Sequence, residues 1–250
     1  MSKGSREASA RDRIAAQRAA ERKRERRKRL TVITAVGVVA VAAIGLGSWY
    51  AASQDTAEKP ALAQAPATVN SDGTLTLAKA GVTAPVLDVY EDFQCPACKA
   101  LETSSGSTIK NLAAEGKAKV VYHPVSIFSA EPTKSNSIRA GAAARCIGDG
   151  AQWLAFHDRL FQNQPSETVE GFALNDLVAW GEEAGVTDPG FPECVTTQKH
   201  AAEQESQSVR VLREAKVTGT PLVKLDGKDL PNEVAFVPAK LREAVVAAGG

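Results

Sequence analysis

Cys95 and Cys98 stand where an apolar, β-prone run, Val86–Phe93, gives way to a helix-like segment opening at Pro96. Two thiols at this spacing close a small disulfide ring and reopen it by exchange with another protein's thiols. Zinc sites use the same spacing, but they need four ligands and normally a second close pair. Here Cys146 and Cys194 stand alone, and His123, His157 and His200 show no ligand-like pairing, so no metal is expected.

Position along the helix gives the two thiols different chemistry. If the helix begins at Pro96, Cys95 is its N-cap and faces unpaired N–H groups and the positive end of the dipole. Its pKa is expected to fall below the usual value of about 8.5, raising the reactive thiolate fraction at neutral pH. Cys98, one turn further in, is expected to be buried and to act as the resolving thiol.

The charge distribution places this pair relative to a membrane. Residues 1–30 carry 12 Lys and Arg against 4 Asp and Glu, and the rest of the chain carries 18 against 25. The cluster Arg22–Arg29 runs into Leu30–Ala52, which contains no charged residue and carries Trp49-Tyr50 near its far end. Roughly 20 apolar residues span a bilayer, and cations ahead of a span stay cytoplasmic. A basic tail 1–29, a single anchor 30–52 and an extracytoplasmic body are therefore expected, the alternative being a cleaved signal peptide. Cations beside a span need no nucleic acid to explain them. An even number of cysteines on the exported side fits a compartment where disulfides persist.

Residues 53–69, rich in Ala, Pro and small polar residues, read as a flexible linker, and the folded domain is expected over 70–250. Strands are expected at Thr74–Leu77, Pro85–Phe93 and Lys119–Ser126. Helical pieces are expected at Pro96–Leu101 and Thr108–Glu115. A helical insertion at about 130–216 follows, with periodic segments at Ser135–Ile147, Ala151–Phe161, Leu174–Ala184 and His200–Ala215; Trp153, Phe156 and Phe161 read as its core. The chain then returns to a hairpin, Thr220–Leu225 and Lys228–Leu230 around Asp226-Gly227, and a last helix, Pro238–Ala247. The order β-α-β, helical insert, β-β-α predicts an α/β fold with a mixed central sheet flanked by helices.

Cys146 and Cys194 read in two ways. They are a second redox pair, or a staple closing a 48-residue loop that contributes about 3 to 4 kcal/mol by chain entropy. The staple is the preferred reading.

The combination YEDFQCPAC, helical insert, TGTP, hairpin and helix resembles the DsbA-like thioredoxin family, particularly its membrane-anchored members from Gram-positive bacteria, over roughly Asn70–Gly250. The resemblance implies a thioredoxin fold with Cys95 attacking, Cys98 resolving and Thr220-Pro221 forming a cis-proline loop opposite them. It implies that Pro96-Ala97 tunes the potential. Ala97 stands where the best-known oxidase has His, so a weaker oxidant is expected. A buried acid six residues before the first cysteine also recurs in the family. That position is Val89 here, while Glu91 and Asp92 read equally well as surface acids.

The expected activity is thiol-disulfide exchange with unfolded or folding exported polypeptides, without a cofactor, by a monomer. A quinone-linked membrane oxidase of the DsbB or VKOR kind is the implied partner for reoxidation. A reductase or isomerase of the same fold, and a non-catalytic anchored peptide-binding or chaperone module, are the alternatives.

Overall fold

The strand that ends at the cysteine pair lies in the interior of the sheet, as its apolar composition requires. A computed structural model describes residues 64–250. The basic tail expected at 1–29, the span expected at 30–52 and the linker up to residue 63 lie outside the described residues. Among the described residues no helix is long and apolar enough to cross a membrane.

The strands β1 (Ala67–Val69), β2 (Leu75–Leu77), β3 (Val86–Glu91), β4 (Lys119–Pro124), β5 (Leu222–Leu225) and β6 (Lys228–Asp229) form one sheet in the order β1-β2-β4-β3-β5-β6. Only β3 and β4 are parallel. Alternation along each strand sends Leu75, Leu77, Leu87, Val89, Val120, Tyr122 and Val223 to one face, where all are buried. Helix α1 (Pro96–Glu115) packs on this side against β2 and β4.

The helical insert supplies α2 (Thr133–Ala144), α3 (Gly150–Gln162), α4 (Leu174–Glu183), α5 (Phe191–Thr196) and α6 (Ala201–Glu214). Within it α3 packs on β1 and β2 beside α1, and α2 packs on α6. Trp153, Phe156 and Phe161 of α3 are buried, as their spacing predicts. After β5 and β6 come α7 (Asn232–Ala235) and α8 (Pro238–Ala248), the latter against α1. The hairpin turns through Asp226 and Gly227, both with positive φ, the geometry that makes Asp-Gly a two-residue hairpin loop.

Three expectations are corrected. The stretch read as linker up to residue 69 contains β1, which pairs with β2, so the folded domain starts before Asn70. The two helical pieces after the cysteines are one continuous helix, α1. Ser104 and Thr103 turn their hydroxyls back onto the carbonyls of Leu101 and Lys99, and Gly106 leaves room for the Glu102 carboxylate, which lies where a Cβ would stand. Cys194, expected between helices, lies inside α5.

Candidate active site

The end of β3 and the start of α1 hold the two thiols in different surroundings. Cys95 is the N-cap of α1 and Pro96 its first helical residue, a place where proline's missing N–H leaves nothing unpaired. Its carbonyl accepts from the N–H groups of Cys98 and Lys99 at 3.1 and 3.2 Å. Both thiols are free in this structure and both are buried, Cys98 completely.

The Cys95 pKa is lowered to about 6. A hydrogen bond from the Cys98 thiol contributes most, burial opposes it, and Thr220 with the backbone N–H groups of Cys98 and Ala97 adds to the lowering. Cys98 is driven the other way, well above an ordinary thiol, first by burial and then by the neighbouring Cys95 and the charge of Glu91. One N–H group, that of Asp92, donates to the Cys98 sulfur at 3.4 Å.

The loop before β5 closes the site from the other side. The Thr220–Pro221 bond is cis, and the Cys95 thiol donates to the Thr220 carbonyl at 3.3 Å. The Thr220 hydroxyl is buried without a protein partner. When Cys95 ionises it can no longer donate to the carbonyl, and a hydroxyl with nothing else to serve is free to donate to the anion.

Asp92 and Gln164 hold the segment between β3 and α1 in place. Fully buried, Asp92 accepts from the Gln94 N–H at 2.8 Å through one carboxylate oxygen, and from Ile127 N–H at 2.8 Å and Ser137 Oγ at 2.6 Å through the other. Burial outweighs these bonds and raises its pKa to about 6. From the insert, the Gln164 amide donates to the Phe93 and Cys95 carbonyls at 2.8 and 3.0 Å, and Gln94 returns a bond to the Pro165 carbonyl at 3.2 Å.

The surface reading of Glu91 and Asp92 is therefore overturned, since both are fully buried. Alternation along β3 places Glu91 on the covered face with Leu87 and Val89. There it meets His157 of α3, also fully buried, in a very short hydrogen bond between Oε1 and Nε2. His157 thus has a partner that its sequence surroundings did not reveal. His123 is satisfied in β4 by Asp88 at 2.8 Å and stacks on Tyr90, apart from the thiols. Glu91, Glu102 and His157 offer ligand atoms within 4.8 Å of one another, but an ammonium, Lys110, stands 3.6 Å from Glu102 and supplies the neutralising charge.

Cys146 and Cys194 form a disulfide, with sulfurs 2.07 Å apart, that ties the segment after α2 to α5.

A family model described as Thioredoxin matches residues 81–244. Among solved structures, oxidised DsbA of Mycobacterium tuberculosis is 28% identical, with 74% of this chain and 93% of that one covered at a TM-score of 0.60. Reduced DsbG of Mycobacterium tuberculosis, a disulfide bond oxidoreductase, is 26% identical, covering 73% and 92% at 0.56. MdbA of Corynebacterium matruchotii, a thiol-disulfide oxidoreductase, shares the fold at 23% identity, covering 78% and 98% at 0.60. No curated protein matches the chain.

Proposed function

The chain belongs to the thioredoxin family and is a thiol-disulfide oxidoreductase of the DsbA-like kind, and we propose that it introduces disulfides into exported proteins through Cys95 and Cys98. The observation that carries this reading is the opposed setting of the two thiols: one a low-pKa helix cap beside Thr220, the other fully buried with a raised pKa. A stabilised Cys95 thiolate favours the reduced form, which makes the disulfide a ready donor.

In the forward reaction a substrate thiolate attacks Cys95 Sγ of the Cys95–Cys98 disulfide. The S–S bond breaks, its electron pair goes to Cys98, and a mixed disulfide joins Cys95 to the substrate. A second substrate thiolate attacks the substrate sulfur of that bond, forming the substrate disulfide and releasing Cys95 as a thiolate. Reoxidation is assigned to a quinone-linked membrane oxidase. The cations of Arg22–Arg29 ahead of the uncharged run Leu30–Ala52 support a single anchor with the catalytic domain outside the membrane.

The test is the reduction potential of Cys95/Cys98 in glutathione buffers, together with oxidative refolding of a reduced, unfolded multi-thiol protein by the oxidised chain. A potential above roughly −200 mV with catalysed refolding supports a donor of disulfides; a value near the roughly −270 mV of thioredoxin overturns it in favour of a reductase.

A further inference from the structure

The bridge between Cys146 and Cys194 has a histidine beside it. Helix α5 ends at Thr196, and Gln198 just beyond takes a positive φ of 49°. The Gln198 and Lys199 N–H groups donate back to the carbonyls of Val195 and Cys194 at 2.9 and 3.0 Å, the closure of a left-handed helix cap. Glycine is the usual residue at such a place, so a glutamine there is held against its backbone preference. The reversal sets His200, the N-cap of α6, back beside Cys194, six positions earlier. One ring nitrogen of His200 and the sulfurs of Cys146 and Cys194 all lie within 4.8 Å of one another. The sequence shows no such pairing, because Cys146 arrives from the end of α2 and the cap, not a short spacing, returns the imidazole.

Two thiols and an imidazole are a ligand set, and the surroundings complete it. His200 Nδ1 donates to Glu203 Oε2 at 2.8 Å, and the other oxygen of that carboxylate is held by Arg145 Nη1 at 3.4 Å. A carboxylate on one ring nitrogen fixes the tautomer in which the other, Nε2, carries the free electron pair, the arrangement that accompanies metal-bound histidines. Cys194 also lines a cavity of about 270 Å³ together with Glu193, Thr197 and Lys199, which gives water and an ion a path to its sulfur. Ligands, outer partner and entry path are thus all present.

We propose that, when the Cys146–Cys194 bond is reduced, the two sulfurs and His200 hold a zinc ion in its place, with water from the cavity completing the shell. Thiolates with an imidazole suit zinc, and two thiolates cancel its charge where none of the three ligand residues is exposed. A tetrahedral shell with sulfurs at about 2.3 Å and nitrogen at about 2.0 to 2.1 Å sets these donors roughly 3.5 to 3.8 Å apart. The Cys146 and Cys194 Cα atoms are 6.0 Å apart, so the sulfurs can part that far by turning about their own side-chain bonds while the helices stay where they are.

Reduction by a dithiol gives two thiols here and closes the dithiol into its own disulfide; zinc then displaces the two thiol protons. Oxidation by another protein's disulfide takes two electrons from the bound thiolates, joins their sulfurs, releases the ion and leaves the acceptor as two thiolates. The ion ties the segment after α2 to α5 as the disulfide does. It also occupies two thiols that would otherwise be free to attack the Cys95–Cys98 bond.

The test is titration of Co²⁺, a spectroscopic stand-in for zinc, into the untagged full chain in mild detergent. Cys95→Ser and Cys98→Ser together remove the other dithiol, and a phosphine keeps the remaining thiols reduced. Uptake of one ion per chain is expected, with a sulfur-to-metal band in the near ultraviolet, strong visible absorption from a tetrahedral shell, and displacement of both by Zn²⁺. The same chain with its disulfide intact is expected to show neither band. His200→Gln is expected to bind about 10-fold more weakly or worse, with altered visible absorption, and Glu203→Gln about 10-fold more weakly with the bands in place, the low end of what an outer partner contributes. Absence of the sulfur band from the reduced chain, equal uptake by the oxidised chain, or unchanged affinity and bands in His200→Gln would each overturn the site. Circular dichroism follows every sample: if reduction alone unfolds the chain, zinc present during reduction is expected to preserve the helical signal, and its loss despite zinc overturns the proposal as well.

Discussion

The side-chain amide of Gln164 donates to the carbonyl oxygen of Cys95 across 3.0 Å, joining residues 69 positions apart in sequence. The same amide also holds the Phe93 carbonyl, so the helical insert fixes the peptide path on which the attacking sulfur is mounted. Gln164→Ala is expected to lower stability by about 1 to 2 kcal/mol, since the Phe93 carbonyl loses a donor and the Cys95 carbonyl keeps only its two helix N–H groups. Urea unfolding of the reduced protein measures this, and an unchanged midpoint would detach the insert from the active-site loop.

Cys95 gives a pH-dependent reactivity with a definite sign. Its folded pKa of about 6 lies below the ordinary thiol value, so iodoacetamide alkylation is expected to rise with a midpoint near pH 6. Cys98, pushed upward, is expected to stay unreacted over the same range. The depressed pKa stabilises the reduced fold fully above about 8.5, the unfolded thiol value, and that stabilisation is lost as pH falls through about 6. The difference in urea stability between the reduced wild type and Cys95→Ala should shrink accordingly from pH 8.5 to 5.

At Asp92 the sign reverses. Burial raises its folded pKa to about 6, above the unfolded carboxyl, so this group favours the fold below about pH 3.9 and loses that contribution as pH rises through 6. Its three accepted bonds still matter at every pH. Asp92→Ala is expected to destabilise by about 3 kcal/mol or more, because the donors of Gln94, Ile127 and Ser137 are left facing an apolar wall. Thermal melts across pH 5 to 8 would show whether the loss persists at both ends.

The Cys146–Cys194 bridge is expected to contribute stability and not turnover. Replacing both residues by Ser should cost about 3 to 4 kcal/mol through the 48-residue loop, with exchange at Cys95 essentially unchanged. Exchange that falls in step with stability would mark the second pair as a participant in the redox cycle.

The parts legible in the sequence were those written in local pattern. The apolar run before Cys95, Pro96 at a helix start and Asp226-Gly227 between alternating residues each specify their element from within a few positions. Ser104-Ser105-Gly106-Ser107 misled, because weak helix formers are held in α1 by burial against the sheet, which no window of the sequence records. Similarly, β1 hides in an Ala- and Pro-rich stretch because β2 supplies its partner. Glu91 was hardest to read. A charged residue is seldom fully buried unless paired, and its partner, His157, lies 66 positions away on a helix whose placement is a tertiary fact. Alternation from Leu87 through Val89 to Glu91 was the available signal, pointing Glu91 inward.

The disulfide of the insert also bears on how this chain reaches its own fold. Four thiols allow three complete pairings, and only one of them is compatible with the structure. Cys95 and Cys98 are three residues apart, so in an unfolded chain they meet far more often than either meets Cys146 or Cys194, each at least 48 positions away. Once the near pair has closed, the distant cysteines have only each other. In an oxidising compartment the spacing of the active-site motif thereby protects the chain from scrambling its own crosslinks, before any substrate is encountered.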